Sequence, residues 1–517
     1  MSKKGLMLFT LILGVFMGAL DTNIVSPALS SIISEFNVNT SWATWTVTIY
    51  TLVYAVSMPI IGKLADRFGG RRLYRIGIVL FAIGSLMSAL STNMVMLALA
   101  RSLQAIGGGG IFPVATAEVG NAFPPEKRGA ALGIIGATFG VASILGPNVG
   151  SFLISHYSWH AIFWINIPIS IIIICLTYTL PNEVSDPKPI DFFGAVLLSA
   201  IILCLMYGLT NLSPDNLAAS FQSWNVSGFL LLSLVLIPLL VFWEKRVQDP
   251  IIDLNLFRKR ELVVTFTLSV LTGATLATLF FVPMFAEKVL GIATGHSGYI
   301  MTPLALASAI SAGGGGRVLD SKGPKVLMLG GFSLFFVGCL MVVFWVSTLT
   351  QYIITLVVLG FALGMVMGAP LNYLVLNNVK KDESASSMAV LSLFRSLGTT
   401  IAPTIMATFI TSAVQKIPST AQETMKTTMT KLAQTNPELL RKLPPMPAQT
   451  TGKNVDYLQL LNLFPPELAN PIKAAIQELL THGFKQIYIA GLIITLAGVV
   501  LSLALSSQSR PQTQPGK

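Results

Sequence analysis

Asp21 is the residue best placed to do chemistry. It stands in Leu20-Asp21-Thr22-Asn23, inside an apolar run that begins near position 6. A carboxylate in such a run is costly and by default functional. At about 1.5 Å per helical residue it lies roughly 22 Å above the edge where the run starts. Burial disfavours the ionised form, so an acid held there is poised to take up and return a proton. Arg101 is the second such residue. It sits early in an oppositely directed run, about 10 Å below the far edge and so roughly 20 Å above the near one. The two fall at similar depth. A guanidinium beside Asp21 would hold it ionised, and loss of that contact would load a proton. Depth leaves azimuth open, so Arg101 could equally form a structural pair or bond to carbonyls. Gln104, one turn on, can share its face. Asn23, Tyr50, Tyr54 and Asn148 could line a cavity or simply join helices by hydrogen bonds. In the second half of the chain Arg395 is the only mid-run charge, and no Asp or Glu lies mid-run there. Coupling chemistry is therefore expected in the first half, with substrate contacts from both.

These residues need elements to hold them, and a repeated turn shows how the elements are arranged. Gly62-x-x-x-Asp66-x-x-Gly69 recurs as Gly316-x-x-x-Asp320-x-x-Gly323, and a base follows two residues later in each, Arg71 and Lys325. Each copy lies between two apolar runs, so the chain reads as duplicated, as transporters often are. In the first copy, Gly62 to Arg72, Asp66 can cap a helix N-terminus or pair with Arg67, Arg71 or Arg72. Glu118 is a further candidate partner. Such a cluster would lock one face shut in one state and release it in another. A plain orientation signal explains the bases but not the duplicated spacing.

The 517 residues are 53% hydrophobic and 11% charged, against about 25% charged in soluble chains. Mean hydropathy is +0.72. The solvent must be lipid. A net charge of +11 raises the question of nucleic acid; the bases, however, sit in short connections rather than on one face, and no nucleic-acid partner is expected. Cys175, Cys204 and Cys339 lie in apolar runs, and His156, His160, His296 and His482 lack ligand spacing. No disulfide framework, metal or cofactor is expected. The start resembles a signal peptide but continues to full span length, and is read as an uncleaved first helix.

Runs of about 17–25 residues can cross hydrocarbon, and there they must be helices. The sequence holds fourteen: 6–29, 42–62, 71–91, 94–117, 129–154, 159–181, 190–211, 226–243, 261–286, 296–316, 325–347, 351–376, 385–412 and 484–506. An all-α integral membrane protein follows. With the N-terminus inside, 22 Lys and Arg fall in inner connections and Lys288 alone in the short outer ones, as the positive-inside rule requires. Both termini are then cytoplasmic, in the cell membrane. The repeat divides the chain into a six-helix half (1–181), an inserted pair (182–243), a cytoplasmic linker (244–260), helices 9–13 of the second half (261–412), an outer loop (413–483), and helix 14 with a tail (484–517). The outer loop reads as short amphipathic helices broken by proline, with Leu468, Ile472, Ile476, Leu479 and Leu480 on one face. It would cap the outer surface or act as a lid guiding apolar substrate.

The run from Gly133 to Gly150 places small residues at helical spacing, including Gly136, Gly140 and Gly146, with Pro147 inside it. Small residues let another helix approach closely and Pro kinks the helix, giving tight packing or a hinge. Gly107 to Gly110 and Gly313 to Gly316 are two further flexible stretches.

Together these residues resemble the major facilitator superfamily, and within it the fourteen-span drug:proton antiporters of the QacA/EmrB kind. Leu20 to Leu29 looks like that family's first-helix motif, whose acid implies proton coupling at Asp21. Gly62 to Arg72 looks like the cytoplasmic gate motif, implying gate roles for Asp66 and Arg67. Arg101 to Gly109 looks like the helix-four motif, which ties Arg101 to proton transfer. Gly140 to Gly150, around Gly146-Pro147, is similar to the antiporter motif of helix five, and Trp159 to Pro168 to a helix-six motif. His160 stands where that last motif usually has a base, and Gly150-Ser151 where the family often has two glycines. The resemblance implies the major-facilitator fold, with two six-helix halves and an inserted pair. It implies proton-coupled efflux of hydrophobic or cationic compounds by alternating access, by a monomer without enzymatic activity. Export of a specific metabolite, lipid or siderophore is the alternative.

Overall fold

An apolar chain in lipid must satisfy its backbone within each segment, and nearly all of this one is helical. The structure is a computed structural model that describes residues 3–38, 40–178, 191–214, 216–292, 297–435 and 465–506. No strand occurs among the described residues. His296, Lys188, the stretch 182–190, the middle of the expected outer loop (436–464) and the tail from 507 lie outside them.

Twelve helices among the described residues are long and apolar enough to cross a bilayer. Two more occupy expected runs. Met301–Lys322 is long enough, but its glycines and end charges lower its hydropathy. The apolar stretch Ala161–Thr177 is shorter. Fourteen crossings require counting both.

Local signals set the boundaries. Gly69 (φ 91°) precedes Gly70–Ala89, and Gly323 (φ 82°) precedes Pro324–Phe344. Side chains rarely adopt that backbone, which explains the third position of the repeat. Asn93 caps Met94–Gly109 by accepting from the Met96 N–H, and Thr348 with Gln351 forms a capping box on Leu349–Met367. The glycines at 107–110 end one helix at Gly109, and Ile111–Ala122 starts after Gly110. The glycines at 313–316 stay helical.

The cores are distributed unevenly along the membrane normal. At the end carrying the repeated turns, one apolar cluster joins both parts of the chain, from Leu11, Phe81 and Phe112 to Phe266, Tyr373 and Leu391. Toward the other end it gives way to two. One surrounds Leu20, Ile24 and Trp159; the other surrounds Phe285, Tyr352 and Tyr488.

Helices Phe192–Thr210 and Trp224–Glu244 form a pair. Asp191 caps the first and accepts from Trp243 Nε1 at 2.9 Å. The pair packs on Leu52, Ala55 and Leu393, while Leu231, Leu234 and Val235 point outward, as lipid-facing residues do.

The segment expected to be short broken helices differs most from expectation. Ser384–Thr435 is one helix of 52 residues containing Pro403 and Pro418, and Pro466–Leu503 is one of 38 containing Pro471. At about 1.5 Å per residue the first is roughly 78 Å long, far more than a bilayer core of about 30 Å. Their extensions pair. Leu468, Ile472, Ile476 and Leu480 bury against Ile417, Ala421, Met425 and Met429. That packed stripe outweighs the hydrogen bond each proline removes.

Candidate functional site

Asp21 has no exposed surface and Arg101 is 1% exposed. Arg101 Nη1 donates to Asp21 Oδ2 at 2.7 Å and to Gln104 Oε1 at 2.6 Å. Gln104 Nε2 donates to Asp21 Oδ1 at 2.9 Å and to Ser85 Oγ at 2.6 Å. Asn166 Nδ2 donates to the same carboxylate oxygen at 2.9 Å. The Arg101 guanidinium lies 3.9 Å from the centre of the Tyr50 ring. Helix Met94–Gly109 supplies Arg101 and Gln104 at a spacing of three, which puts both on one face. Lys3–Ile24 supplies Asp21.

The depth argument for Asp21 and Arg101 thus meets a direct ion pair. Charge-assisted bonds to one ionised carboxylate are strong, and removing one partner of a buried pair costs about 3–5 kcal/mol. The arrangement has two chemical states. Ionised, Asp21 accepts three hydrogen bonds. Protonated, it no longer balances Arg101, and the guanidinium must seek another anion or water.

Ser85 and Asn166 are members that sequence reasoning left without a role. Asn166 offered a signal, an amide in the apolar stretch Ile165-Asn166-Ile167. Ser85 offered none, because isolated serines are common in such helices. Tyr54 stacks on Tyr50 with centroids 5.7 Å apart. Asn23 and Asn148 are half-buried near the contact between Lys3–Ile24 and Pro125–His156, outside the bonds of Asp21. Arg395 is 6% exposed and its guanidinium lies 5.5 Å from the Phe112 ring.

The helix with Gly140, Gly146, Pro147 and Gly150 packs on two neighbours. A Cβ at Gly146 would stand 2.9 Å from the Leu20 carbonyl oxygen, and one at Gly133 would stand 2.7 Å from that of Ala312. Gly140 has only an ordinary contact, with Ser308.

The repeated turns form a second constellation. Asp66 accepts from the backbone N–H groups of Ala385 and Ser386 at 2.8 and 2.7 Å. Asp320 accepts from those of Gly129 and Ala130 at 2.9 and 3.1 Å. Each acid thus reaches across to a helix near its N-terminus in the other half of the chain. Of the roles expected for Asp66, capping is the one observed. Arg67 pairs instead with Asp249, an ion pair that Lys63 Nζ joins at 2.5 Å. Arg71 donates to the Tyr178 carbonyl at 3.0 Å, Arg72 is exposed, and the Glu118 carboxylate packs over Gly70. Asp249 carried no sequence signal, since an acid in a polar linker reads as a solvated charge. Asn121 to Ser384 and Arg128 to Asn377 add two side-chain bonds across the same face.

Comparison with known proteins fits this geometry. A family model described as Major Facilitator Superfamily matches residues 11–403. The Uncharacterized MFS-type transporter YfiU of Bacillus subtilis (strain 168) is 36% identical over 502 residues, covering 96% of this chain and 95% of its own. Multidrug resistance protein 3 of the same organism is 31% identical over 411 residues and covers 78% of each chain. Among solved structures, the human organic anion transporter MFSD10 (TETRAN) superposes with a TM-score of 0.60 at 16% identity, covering 79% of this chain and 94% of that one. That last likeness is one of fold alone.

Proposed function

Because the chain belongs to the Major Facilitator Superfamily, we propose that it is a proton-coupled exporter of hydrophobic compounds working by alternating access, with Asp21 as its proton carrier. The chain is a multi-pass membrane transporter and not an enzyme. The observation that carries the proton reading is Asp21 itself, fully buried and held by Arg101, Gln104 and Asn166. In the cycle, Asp21 takes a proton from outside, separates from Arg101 and releases the proton inside. Substrate occupies the seam between the halves while the acid is ionised. Asp66, Asp320 and Arg67 act as the gate. The shared core at their end and the split cores at the other support a conformer closed on that side. The excess of bases there supports a cytoplasmic assignment for that face and for both termini, in the cell membrane.

The name of one relative, Multidrug resistance protein 3, supports hydrophobic drugs as substrates. Cationic ones have less support. Among the described residues the mid-depth carboxylate Asp21 is already engaged, and a cation in the seam would face Arg101 and Arg395.

The test is reconstitution in liposomes with an imposed pH gradient. Asp21→Asn should abolish uphill export while leaving expression and substrate binding intact. Arg101→Ala should slow or uncouple it. Uphill pumping by the Asp21→Asn protein would sink the proposal.

A further inference from the structure

Two arginines lie buried at mid-depth, and they are treated differently. Arg101 is neutralised by Asp21. Arg395 lies eleven residues into Ser384–Thr435, about 16 Å above the start of that helix and near the middle of a bilayer. It is 6% exposed. Among the described residues it has no hydrogen-bond or ion-pair partner, and its Nε is buried and unsatisfied. The acids on the helices around it are engaged elsewhere. Asp66 holds Ala385 and Ser386, Glu118 lies over Gly70, and Glu261 bonds Ser506. What does face the guanidinium is aromatic. Phe112 of the opposite half lies 5.5 Å away, and Tyr54 is within reach of its charge.

An unpaired guanidinium inside a membrane protein is costly and marks a substrate path. Its planar fork matches the oxygens of a carboxylate or phosphate, which it binds through two parallel hydrogen bonds. The neighbouring rings offer an apolar wall to whatever carries that group. The location suits a site that alternates, because Arg395 belongs to one half and its aromatic neighbours to the other.

We propose that Arg395 is the substrate-binding residue for an anionic head group, and that the exported compound is an amphiphile bearing a carboxylate or phosphate. This deepens the export reading and rests on it for the word exported. It also connects the two buried charges. Tyr54 stacks on Tyr50, and Tyr50 lies against Arg101. An anion on Arg395 therefore sits one aromatic pair away from the cation that Asp21 loses when it takes a proton. Exchanging an inward proton for an outward carboxylate also moves one more charge per cycle than the same exchange with its neutral ester. An inside-negative potential should favour the carboxylate further.

The experiment uses the purified full chain in phosphatidylcholine nanodiscs without a gradient. The probes are dansyl-labelled undecanoate, its methyl ester and the matching trimethylammonium compound, with binding read by dansyl fluorescence. The carboxylate should bind tightest. Arg395→Gln should weaken the carboxylate by about tenfold to a hundredfold, the worth of a charge-assisted contact, and leave the ester unchanged. Arg395→Lys should fall between. The Gln variant has no partner to orphan, so its thermal midpoint should match the wild type and exclude misfolding. Absence of carboxylate binding, an unchanged carboxylate affinity in Arg395→Gln, or tighter binding of the trimethylammonium compound would overturn the proposal. Competition by phosphatidylglycerol in the nanodisc would support the same anion site with a lipid as its occupant. The two readings separate cleanly. Arg395-dependent binding without gradient-driven flux removes proton-coupled export and keeps the anion site. Gradient-driven flux of the ester, with carboxylate binding indifferent to Arg395, does the reverse.

Discussion

The turn at Gly62 to Arg72 is held by an element that the turn at Gly316 to Lys325 lacks. In both, the first glycine lets a helix from the other half approach. A Cβ at Gly62 would stand 2.8 Å from the Ala385 carbonyl oxygen, and one at Gly316 would stand 2.6 Å from that of Gly129. In both, the acid binds two backbone N–H groups across the seam, and the second glycine takes a positive φ. In both, the base two residues on reaches a carbonyl at a helix C-terminus, Tyr178 for Arg71 and Leu503 for Lys325. The difference lies at two further positions. Lys63 and Arg67 of the first turn share Asp249 of the linker; the matching positions of the second turn are Arg317 and Ser321, and Ser321 bonds only its own helix. The closing contacts are therefore common to both halves, while the inserted pair and its linker secure one of them alone.

Removing the acids should open the closed face most strongly. Bonds to a charged group are worth about 1.5–3 kcal/mol each, so Asp66→Ala or Asp320→Ala should shift the balance away from the closed face by more than about tenfold. Cysteine substituted at Ser387, in a chain freed of its native cysteines, should become reactive toward an impermeant thiol reagent in both variants. Equal labelling is expected if the acids do equal work. Labelling in only one would mean that the turns are alike in sequence but not in load.

Crowding the close approaches comes next. Gly62→Leu and Gly316→Leu each place a side chain against backbone that cannot yield by rotating a bond. Overpacking of that kind costs about 1–3 kcal/mol. Both should raise the same labelling and slow export. Loss of export with the thiol still protected would assign the glycines to folding rather than to closure.

Asp249→Asn tests the difference itself. Arg67 is buried and Asp249 half-buried, but Asn keeps an oxygen that accepts from Lys63 and Arg67, so the expected loss is smaller, about 1 kcal/mol or roughly fivefold in labelling. It should shrink further in high salt, which screens such pairs. Among the described residues no ion pair forms at Arg317 or Ser321, so no equivalent change in the second turn should reproduce it. An effect as large as that of Asp66→Ala would make the linker a principal closing element.

Much of this arrangement was legible in the chain, for reasons that also mark where legibility ends. The Gly-Asp-Gly spacing survives as a pattern because each position meets a backbone constraint, and such constraints admit few residue types. The depths of Asp21 and Arg101 followed from helical rise alone, but their pairing depends on helix rotation, which apolar sequence in lipid hardly encodes. Asn166 and Ser85 were hidden by the same indifference. Asp249 was hidden because it gains meaning only from Lys63 and Arg67, nearly two hundred residues earlier. The extensions after the thirteenth apolar run and before the fourteenth read as broken in the sequence, yet each continues its helix among the described residues. Pro418 and Pro471 weigh heavily in a local reading, whereas the stripe from Leu468 to Leu480 finds its partner only on the other helix.

The smallest expected effect probes the last shared position. Arg71→Gln and Lys325→Gln each remove a cation from a helix C-terminus, a contribution of about 0.3–1 kcal/mol. The two should not be equal. Arg75 donates to Thr177 at 2.9 Å and lies 4.0 Å from the Tyr178 ring, so a second cation already serves the helix end that Arg71 serves. No described residue duplicates Lys325 at Leu503 in the same way. Lys325→Gln should therefore lower the thermal midpoint by up to about 1 °C, and Arg71→Gln by less. Arg71→Gln combined with Arg75→Gln should restore parity. If Arg71→Gln alone is the more damaging, the redundancy at Tyr178 is not real, and Arg71 must act through the closing face rather than through the helix end.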